Sequence, residues 1–312
     1  MRKKVSVIGA GNVGASAAQM VVQASLADVV LFDIADGIPQ GKALDIAEAC
    51  PIWNSSVSVK GTNSYADTKD SNIVVITAGF PRKPNMSRDD LLHANADVVK
   101  AVSGAIAKTS PNAIVIIVTN PMDVMAQLAW KTTEFSCKRV IGMGGILDAA
   151  RLRAFLSWEL NVSPEDIETI VLGGHGDQMV PLPRFTTVKG IAITEFLKKK
   201  TIDSIVHRTR NGGAEIVSLL KSGSAYYAPA AAVVQMIKSI LLDEKRLIPC
   251  AAYLNGEYGM KDVYLGVPVI LGREGVERVF EIKLTKEERA QLKESCSAVK
   301  KLIKKLSIKL SI

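Results

Sequence analysis

The chain has 312 residues, of which 48% are hydrophobic and 22% are charged, and its formal net charge is +8. This composition excludes a disordered chain, and the length suits one large α/β unit or two coupled domains. No apolar run reaches the roughly 18 residues of a membrane span, and a predicted strand begins too early for a signal peptide to precede it.

The cysteines indicate a reducing compartment. Cys50, Cys137, Cys250 and Cys296 are scattered along the chain and form no CxxC or CxxH spacing. This pattern predicts a cytoplasmic protein with neither a disulfide framework nor a structural metal site.

Most of the excess positive charge lies in residues 283–312, which hold nine Lys and Arg against three Glu. Thr285 and Glu288 have capping-box spacing, and apolar residues follow at helical intervals: Leu292, Cys296, Val299, Ile303, Leu306 and Leu310. We expect a C-terminal helix with a docked apolar face and a solvated lysine face. A surface-binding basic helix is the alternative, but no aromatic residue lies between the lysines. We therefore expect neither a nucleic-acid nor a membrane partner.

The N-terminus carries a dinucleotide-binding pattern. The predicted strand Lys4–Ile8 ends in a GxGxxG motif whose glycines are Gly9, Gly11 and Gly14, and the helical run Val13–Ala24 follows. The first glycine permits a tight turn, the second lets the backbone approach a pyrophosphate, and the third allows close helix–strand packing. A purely structural glycine turn is the alternative.

A carboxylate at the end of the second predicted strand, Val29–Phe32, supports the dinucleotide interpretation. Asp33 lies nineteen residues after Gly14, where a carboxylate accepts hydrogen bonds from the adenine ribose hydroxyls. The same charge repels a 2′-phosphate. The sequence therefore predicts NAD as the cofactor in preference to NADP.

Strands and helices alternate up to about residue 144. Further predicted strands are Ser58–Lys60, Ile73–Thr77, Ala113–Val118 and Arg139–Ile141, and the predicted helices are Gln40–Glu48, Asp89–Lys108 and Met122–Lys131. Near-continuous apolar strands are typical of a parallel sheet buried on both faces, so we predict an α/β fold. The dinucleotide half is complete near Gly144, which predicts domains at 1–144 and 145–312.

Two polar segments follow predicted strands of this sheet. Residues 80–90 hold two prolines and three basic residues, Arg82, Lys83 and Arg88, which predicts a cationic loop able to close over an acidic substrate. A solvated basic turn is the alternative. Asn120, before Pro121, offers an amide beside the expected nicotinamide position, although Asn-Pro is also common in turns.

Three polar residues in the second half fit one reaction. Asp148 and Arg151 are three apart in the predicted helix Leu147–Leu160, and His175 follows the apolar run Ile167–Leu172. A carboxylate beside a histidine fixes its tautomer and raises its pKa, and an arginine binds a carboxylate with two donors. Taken singly, the Asp–Arg pair also fits a solvated ion pair, and the histidine also fits a turn residue.

These motifs together resemble the lactate/malate dehydrogenase family from end to end, and most closely its malate dehydrogenases of the lactate-dehydrogenase-like branch. The matching segments occur in family order and spacing: VIGAGNVG, Phe32-Asp33, AGFPRKPNMSRDDLL, VTNPMD, GILDAARLRAFL and GGHGDQMVP. The resemblance implies an N-terminal Rossmann doubly wound parallel sheet and a C-terminal α+β substrate domain. It also implies a homodimer or homotetramer.

The resemblance implies a role for each candidate residue. His175 is the expected catalytic acid and base, Asp148 its orienting partner, and Arg151 the clamp on the substrate carboxylate. Arg88 is expected to polarise the substrate carbonyl, and Asn120 to bind both substrate and cofactor. The remaining expected NAD contacts are Gly9, Gly11, Asn12, Val13, Gly14, Asp33, Asn95 and Val118.

Arg82 indicates the substrate. In this family an arginine six residues before the loop arginine accompanies oxaloacetate, whereas a glutamine accompanies pyruvate. Oxaloacetate carries a second carboxylate that needs a cationic partner in a closed site. We therefore expect NAD-dependent interconversion of (S)-malate and oxaloacetate. Another 2-hydroxy acid such as lactate, or a non-catalytic NAD sensor, remains an alternative.

Two positions depart from the family pattern. Asn85 stands where the family usually has glycine in the loop, which puts the kinetics of loop closure in doubt. Asn tolerates a left-handed backbone better than most residues, so we expect the hinge to survive. Gly144 replaces a more usual alanine, and we expect no effect on the chemistry.

Overall fold

The computed structural model describes residues 2–80 and 88–310, with only the backbone described for Arg88 and residues 307–310. Fourteen strands and nine α-helices lie in these residues. Arg82 and Asn85 lie outside them, and so does the side chain of Arg88. The predicted closing loop therefore stays a prediction.

The N-terminal half is a parallel sheet with helices between its strands. The strands are β1 (Lys4–Ile8), β2 (Asp28–Phe32), β3 (Val59–Thr62), β4 (Ile73–Ile76), β5 (Ile114–Ile117) and β6 (Val140–Gly142). The helices are α1 (Asn12–Gln23), α2 (Ile38–Trp53), α3 (Arg88–Thr109) and α4 (Met122–Thr133). The strand order β3-β2-β1-β4-β5-β6 is that of the Rossmann fold, which confirms the predicted fold class.

Burial explains why these strands could be predicted. Every residue of β4 and of β5 is buried, as a parallel sheet covered on both faces requires. The predicted strand ends fall within two residues of those observed. Helix α2 differs more, because it continues past the predicted end at Glu48 and includes Pro51 in its last turn. It ends at Trp53, and the C-cap Asn54 has a left-handed conformation. A proline this near the end of a helix removes one hydrogen bond without stopping the helix.

The C-terminal half is mixed. It contains the strands β7 (Ile167–Glu168), β8 (Val171–Gly173), β9 (Met179–Pro181), β10 (Thr187–Val188), β11 (Ile191–Ala192), β12 (Arg246–Asn255), β13 (Lys261–Gly272) and β14 (Gly275–Val279). Its helices are α5 (Gly145–Leu160), α6 (Ile193–Phe196), α7 (Lys199–Leu220), α8 (Tyr227–Leu241) and α9 (Lys286–Leu310). β7, β10 and β11 form a separate three-stranded sheet.

One sheet crosses from the first half into the second. β12 pairs antiparallel with β6 through Ala251 and Gly142, so the order continues as β6-β12-β13-β8-β9 and makes a sheet of eleven strands with β14. β12 and β13 pair along nearly their whole length. Strands of the two halves are therefore paired in one sheet. β8, which precedes His175, belongs to the same sheet as β1, which precedes the glycine motif.

Helix α9 docks in the predicted way. Thr285 and Glu288 form a reciprocal capping box, with Thr285 N donating to Glu288 Oε2 at 2.9 Å and Glu288 N donating to Thr285 Oγ1 at 3.2 Å. Leu292, Cys296, Val299 and Leu306 are buried and Ile303 is partly buried, whereas the side chain of Leu310 lies outside the described residues. The described lysines of the helix are exposed. Near its end, Lys305 pairs with Asp89 in the first turn of α3 at 2.8 Å.

Candidate active site

The predicted cluster of three polar side chains forms where α5 meets the turn after β8. Asp148 and Arg151 project from one face of α5, and Arg151 Nη1 lies 3.5 Å from Asp148 Oδ1. His175 follows β8 by two residues, and its Nδ1 lies 2.9 Å from Asp148 Oδ2. One carboxylate thus contacts both an arginine and a histidine, with a different oxygen for each.

The environment favours a protonated His175. Burial lowers the pKa of His175, but the charge of Asp148 and its hydrogen bond to the ring raise that pKa more, so the net shift is upward. As a carboxylate, Asp148 accepts a hydrogen bond from Nδ1–H of His175, which leaves Nε2 as the ring atom available for proton exchange with a substrate. His175 keeps 13% of its side chain exposed, against 1% for Asp148.

Arg151 is held with unused hydrogen-bonding capacity. Its side chain is 12% exposed, and its Nε is buried with no hydrogen-bond partner among the described residues. Burial lowers its pKa while Asp148 opposes this shift. Such a guanidinium can bind a carboxylate ligand through two parallel hydrogen bonds.

A glycine of α7 makes room for that guanidinium. A Cβ on Gly212 would lie 3.2 Å from Arg151 Cδ, tighter than most real contacts. Glycine costs about 1 kcal/mol relative to alanine inside a helix, so its place in the middle of α7 needs a packing reason. Sequence analysis missed Gly212, and the Gly-Gly pair inside a helical stretch was the available signal.

Two further residues hold the backbone beside His175. Asp123 Oδ2 accepts a hydrogen bond from His175 N at 2.9 Å, and Ser295 Oγ accepts one from Gly174 N at 2.8 Å. Asp123 lies in the first turn of α4 and Ser295 lies in α9. Neither residue was assigned a role from the sequence. Asp123 stands within the VTNPMD motif, whereas no local pattern marks Ser295.

The glycine motif forms the predicted tight turn between β1 and α1. Gly9 has φ +110°, and a Cβ there would lie 2.7 Å from Ala78 N. A Cβ on Gly14 would collide with the carbonyl oxygen of Gly9, so this glycine permits close packing of the helix on the strand. Thr77, which sequence analysis missed, donates from Oγ1 to the Gly9 carbonyl at 3.0 Å and fixes the turn.

The start of α1 suits an anionic ligand. A Cβ on Gly11 would meet no atom within 4 Å, so this glycine faces open space. Gly11 is also the N-cap and makes no side-chain capping bond, and Asn12 and Val13 begin the helix. Uncapped backbone N–H groups at a helix N-terminus bind phosphate oxygens. This part of the structure fits a pyrophosphate.

Asp33 lies beside that turn. Its Oδ2 accepts from Ala10 N at 2.7 Å and its Oδ1 accepts from Ala35 N at 3.0 Å. Lys42, from α2, donates to the Ala10 carbonyl at 2.7 Å. The carboxylate is therefore fixed just after β2 by backbone hydrogen bonds, and its contact with a ribose stays a prediction.

The ends of β4 and β5 are joined by Asn95. Its Oδ1 accepts from Phe80 N at 2.7 Å, and its Nδ2 donates to the Asn120 carbonyl at 2.8 Å. Asn120 is exposed and Val118 is partly buried at the carboxyl end of β5. The side chain of Asn95 thus ties the start of the predicted closing loop to the segment that carries Asn120.

Comparisons with known proteins identify the family of the chain. The family model described as lactate/malate dehydrogenase, NAD binding domain, matches residues 3–142, and the family's alpha/beta C-terminal domain matches residues 146–309. The chain belongs to the lactate/malate dehydrogenase family. As a member it is an oxidoreductase, and its cofactor is NAD.

Relatives in this family are similar over nearly their whole length. A malate dehydrogenase of Roseiflexus castenholzii is 54% identical over 299 residues, covering 96% of this chain and 97% of its own. One from Heliobacterium modesticaldum is 55% identical over 302 residues, covering 97% and 98%.

Solved structures of both family activities resemble the chain. The malate dehydrogenase from Picrophilus torridus in its apo form has a TM-score of 0.97 at 46% identity, covering 100% of this chain and 99% of its own. The lactate dehydrogenase from Cryptosporidium parvum, complexed with lactic acid and NAD, has a TM-score of 0.96 at 43% identity and covers 98% of each chain. The overall shape therefore does not distinguish the two substrates.

Two features are absent from the described residues. None of their helices is both long and apolar enough to cross a membrane. Within the same residues, no group of three or more His, Cys, Asp or Glu side chains is placed to hold a metal ion.

Proposed function

We propose that the chain is an NAD-dependent malate dehydrogenase, which interconverts (S)-malate and oxaloacetate. The observation that carries the proposal is the Asp148 carboxylate, which contacts both the ring of His175 and the guanidinium of Arg151. It is supported by relatives named malate dehydrogenase at more than half identity. Arg82 supports the dicarboxylate over lactate.

The reaction begins with the substrate bound by arginine side chains. Arg151, with an unpartnered buried Nε, binds the carboxylate next to the reacting carbon through two hydrogen bonds. Arg82 pairs with the distal carboxylate and Arg88 with the reacting oxygen, while Asn120 contacts substrate and cofactor. Each oxygen that carries charge then has its own donor, and the closed loop excludes water.

His175 acts as the general base in one direction and as the general acid in the other. In malate oxidation its neutral Nε2 accepts the hydroxyl proton, and Asp148 stabilises the imidazolium that forms. In oxaloacetate reduction the imidazolium returns that proton to the carbonyl oxygen, and Arg88 stabilises the negative charge that develops there. Bound NAD supplies the chemistry of accepting the hydride from C2 of malate.

The residues around the glycine turn are proposed to hold that cofactor. Gly9, Gly11, Asn12, Val13 and Gly14 offer backbone N–H groups and close approach to the pyrophosphate. Asp33 accepts from the adenine ribose, and Asn95, Val118 and Asn120 lie toward the nicotinamide. The two side-chain ends of Asn95 already bind backbone, so its role is to shape the crevice there.

The organisation of the protein is part of the proposal. We place the domain boundary at 144/145, immediately before α5, and propose a homodimer or homotetramer with no nucleic-acid or membrane partner. A cytoplasmic location is supported by the four cysteines, all of which are free. Light scattering on purified protein distinguishes the dimer from the tetramer.

Substitution of Arg82 tests the substrate. Arg82→Gln leaves the distal carboxylate of oxaloacetate unpaired in the closed site, which should cost about 2–5 kcal/mol, or roughly 30-fold to several-thousand-fold in kcat/KM. Pyruvate should gain, because its methyl group no longer faces an unpaired guanidinium. The measurement is kcat/KM for both acids at one pH and saturating NADH.

Lys83→Gln is the matched control, because it removes a neighbouring positive charge from the same loop. It should leave the ratio of the two kcat/KM values close to that of the unmodified protein. Equal losses for both acids in Arg82→Gln would make Arg82 structural and remove the support for oxaloacetate.

A further inference from the structure

A second carboxylate lies behind the catalytic histidine. Asp123 is 5% exposed, and its Oδ2 accepts the backbone N–H of His175 at 2.9 Å. Its Oδ1 is buried without a hydrogen-bond partner among the described residues. A buried carboxylate with an unpaired oxygen is costly, so its presence needs a reason beyond packing.

Backbone support alone does not explain a charged residue here. The preceding N–H, that of Gly174, is held at 2.8 Å by a neutral hydroxyl, Ser295 Oγ. A neutral acceptor is therefore sufficient for one of two consecutive N–H groups of the same turn. The other, which belongs to the histidine itself, has a carboxylate.

The turn is built tightly around these two acceptors. A Cβ on Gly174 would lie 2.9 Å from Val299 Cγ2 and 3.4 Å from Asp123 Oδ2. α4 and α9 therefore approach the backbone from positions where a side chain on residue 174 would intrude. The position of the imidazole depends on this backbone, because only one residue separates it from β8.

The charges around His175 come from several elements. α5 contributes Asp148 and Arg151, and α4 contributes Asp123. α9 presents the neutral groups Ser295 and Val299, and Asp177, two residues after the histidine, is exposed. Asp148 and Asp123 both favour the imidazolium, and Arg151 opposes them.

We propose that Asp123 is a positioning residue of the acid–base site: it fixes the backbone of His175, and its negative charge stabilises the imidazolium whose ring Asp148 orients. Two carboxylates then stabilise the imidazolium: Asp148 contacts the ring, and Asp123 contacts the main chain of the same residue. This inference rests on the proposed function for its link to turnover, but the electrostatic effect itself is measurable without substrate.

The ionisation of Asp123 places this effect in the neutral range. Burial is the main cause that raises its pKa to about 6, and the hydrogen bond from His175 N and the charge of His175 oppose that rise. Asp123 is therefore ionised at neutral pH and loses its charge on mild acidification. Its support for the imidazolium is present above that pH and is lost below it.

The direct test is an NMR titration of the histidine rings in protein labelled at the imidazole carbons. The chain has only three histidines, and His93→Asn and His207→Asn variants assign the signal of His175. Asp123→Asn keeps an acceptor for the backbone N–H but removes the charge. It should move the titration midpoint of His175 to lower pH by about half a unit or more.

Ser295→Ala is the matched control, because it removes the neighbouring neutral anchor of the same turn. It removes no charge, so it should move the His175 midpoint much less than Asp123→Asn does. In kinetics, Asp123→Asn should move the pH profile of kcat/KM for oxaloacetate reduction in the same direction as the NMR midpoint. Asp123→Ala removes the hydrogen-bond acceptor as well as the charge, so it should lower kcat more than Asp123→Asn does.

An unchanged His175 midpoint in folded Asp123→Asn would overturn the proposal and leave Asp123 as a structural acceptor. Should that variant not fold, the unmodified protein decides. Its His175 signal should show a second, smaller inflection near pH 6 as Asp123 titrates, and a single-step curve contradicts the proposal. If the midpoint shifts but the unmodified protein does not reduce oxaloacetate, the proposed function fails and the inference about Asp123 stands.

Discussion

The polar cluster around His175 and the glycine turn are built by opposite means. The cluster consists of charged side chains, Asp123, Asp148, Arg151 and His175, packed where little water reaches them. In the turn, Gly9 and Gly14 work by leaving space, and any Cβ there would strike backbone. The cluster depends on which charged side chains lie together, and the turn depends on two residues that have no Cβ.

This difference separates two kinds of function. A turn made of backbone can bind an anionic cofactor through N–H groups whose position no rotamer changes. A cluster of charged side chains can adjust the pKa of a histidine, because each charge alters the proton affinity of its neighbours. Substitutions in one region should therefore leave the function of the other largely intact.

The largest expected effect is that of His175→Asn. Loss of the general acid should lower kcat by about 10²–10⁴-fold, because the variant lacks the imidazole Nε2 that exchanges a proton with the substrate. NADH should still bind, because the glycine turn is untouched, and the quenching or enhancement of NADH fluorescence measures this binding. His207→Asn, at an exposed position of α7, is the control and should keep normal turnover.

Near-normal turnover in His175→Asn would show that another group is the acid. Loss of NADH binding in that variant would mean that the cluster and the glycine turn are not independent.

A smaller effect is expected on the cofactor side from Asp33→Asn. The amide keeps the size of the carboxylate but not its charge, so the repulsion of a 2′-phosphate is removed. Losing one charged hydrogen-bond acceptor is worth about 1.5–3 kcal/mol, which corresponds to roughly a 10- to 150-fold change in the preference for NADH over NADPH. Steady-state kcat/KM with each cofactor gives the ratio.

The pH profile of oxaloacetate reduction in Asp33→Asn should match that of the unmodified protein, because Asp33 is not among the groups that shift the pKa of His175. Equal kcat/KM values for NADH and NADPH in the unmodified protein would remove the assigned role of Asp33.

The same difference explains what the sequence could predict. The glycine turn is encoded in six consecutive residues after an apolar strand, so local spacing reveals it. Asp148 and Arg151 are similarly local, because three residues along a helix bring two side chains to one face. The whole-chain resemblance added the roles of individual residues.

Contacts between distant segments could not be predicted in this way. His175 N meets a carboxylate 52 positions earlier, and Gly174 N meets a hydroxyl 121 positions later. The pairing of Ala251 with Gly142, which joins the two halves into one sheet, also depends on tertiary packing. Periodicity reports which face of an element is buried, but not which element covers it.

The most direct test of the whole account is the specificity of the unmodified protein. The measurement is kcat/KM for oxaloacetate and for pyruvate, each with saturating NADH at the same neutral pH. Oxaloacetate should be preferred by more than about 30-fold, because only the dicarboxylate supplies a partner for Arg82. Equal values, or a preference for pyruvate, would contradict it.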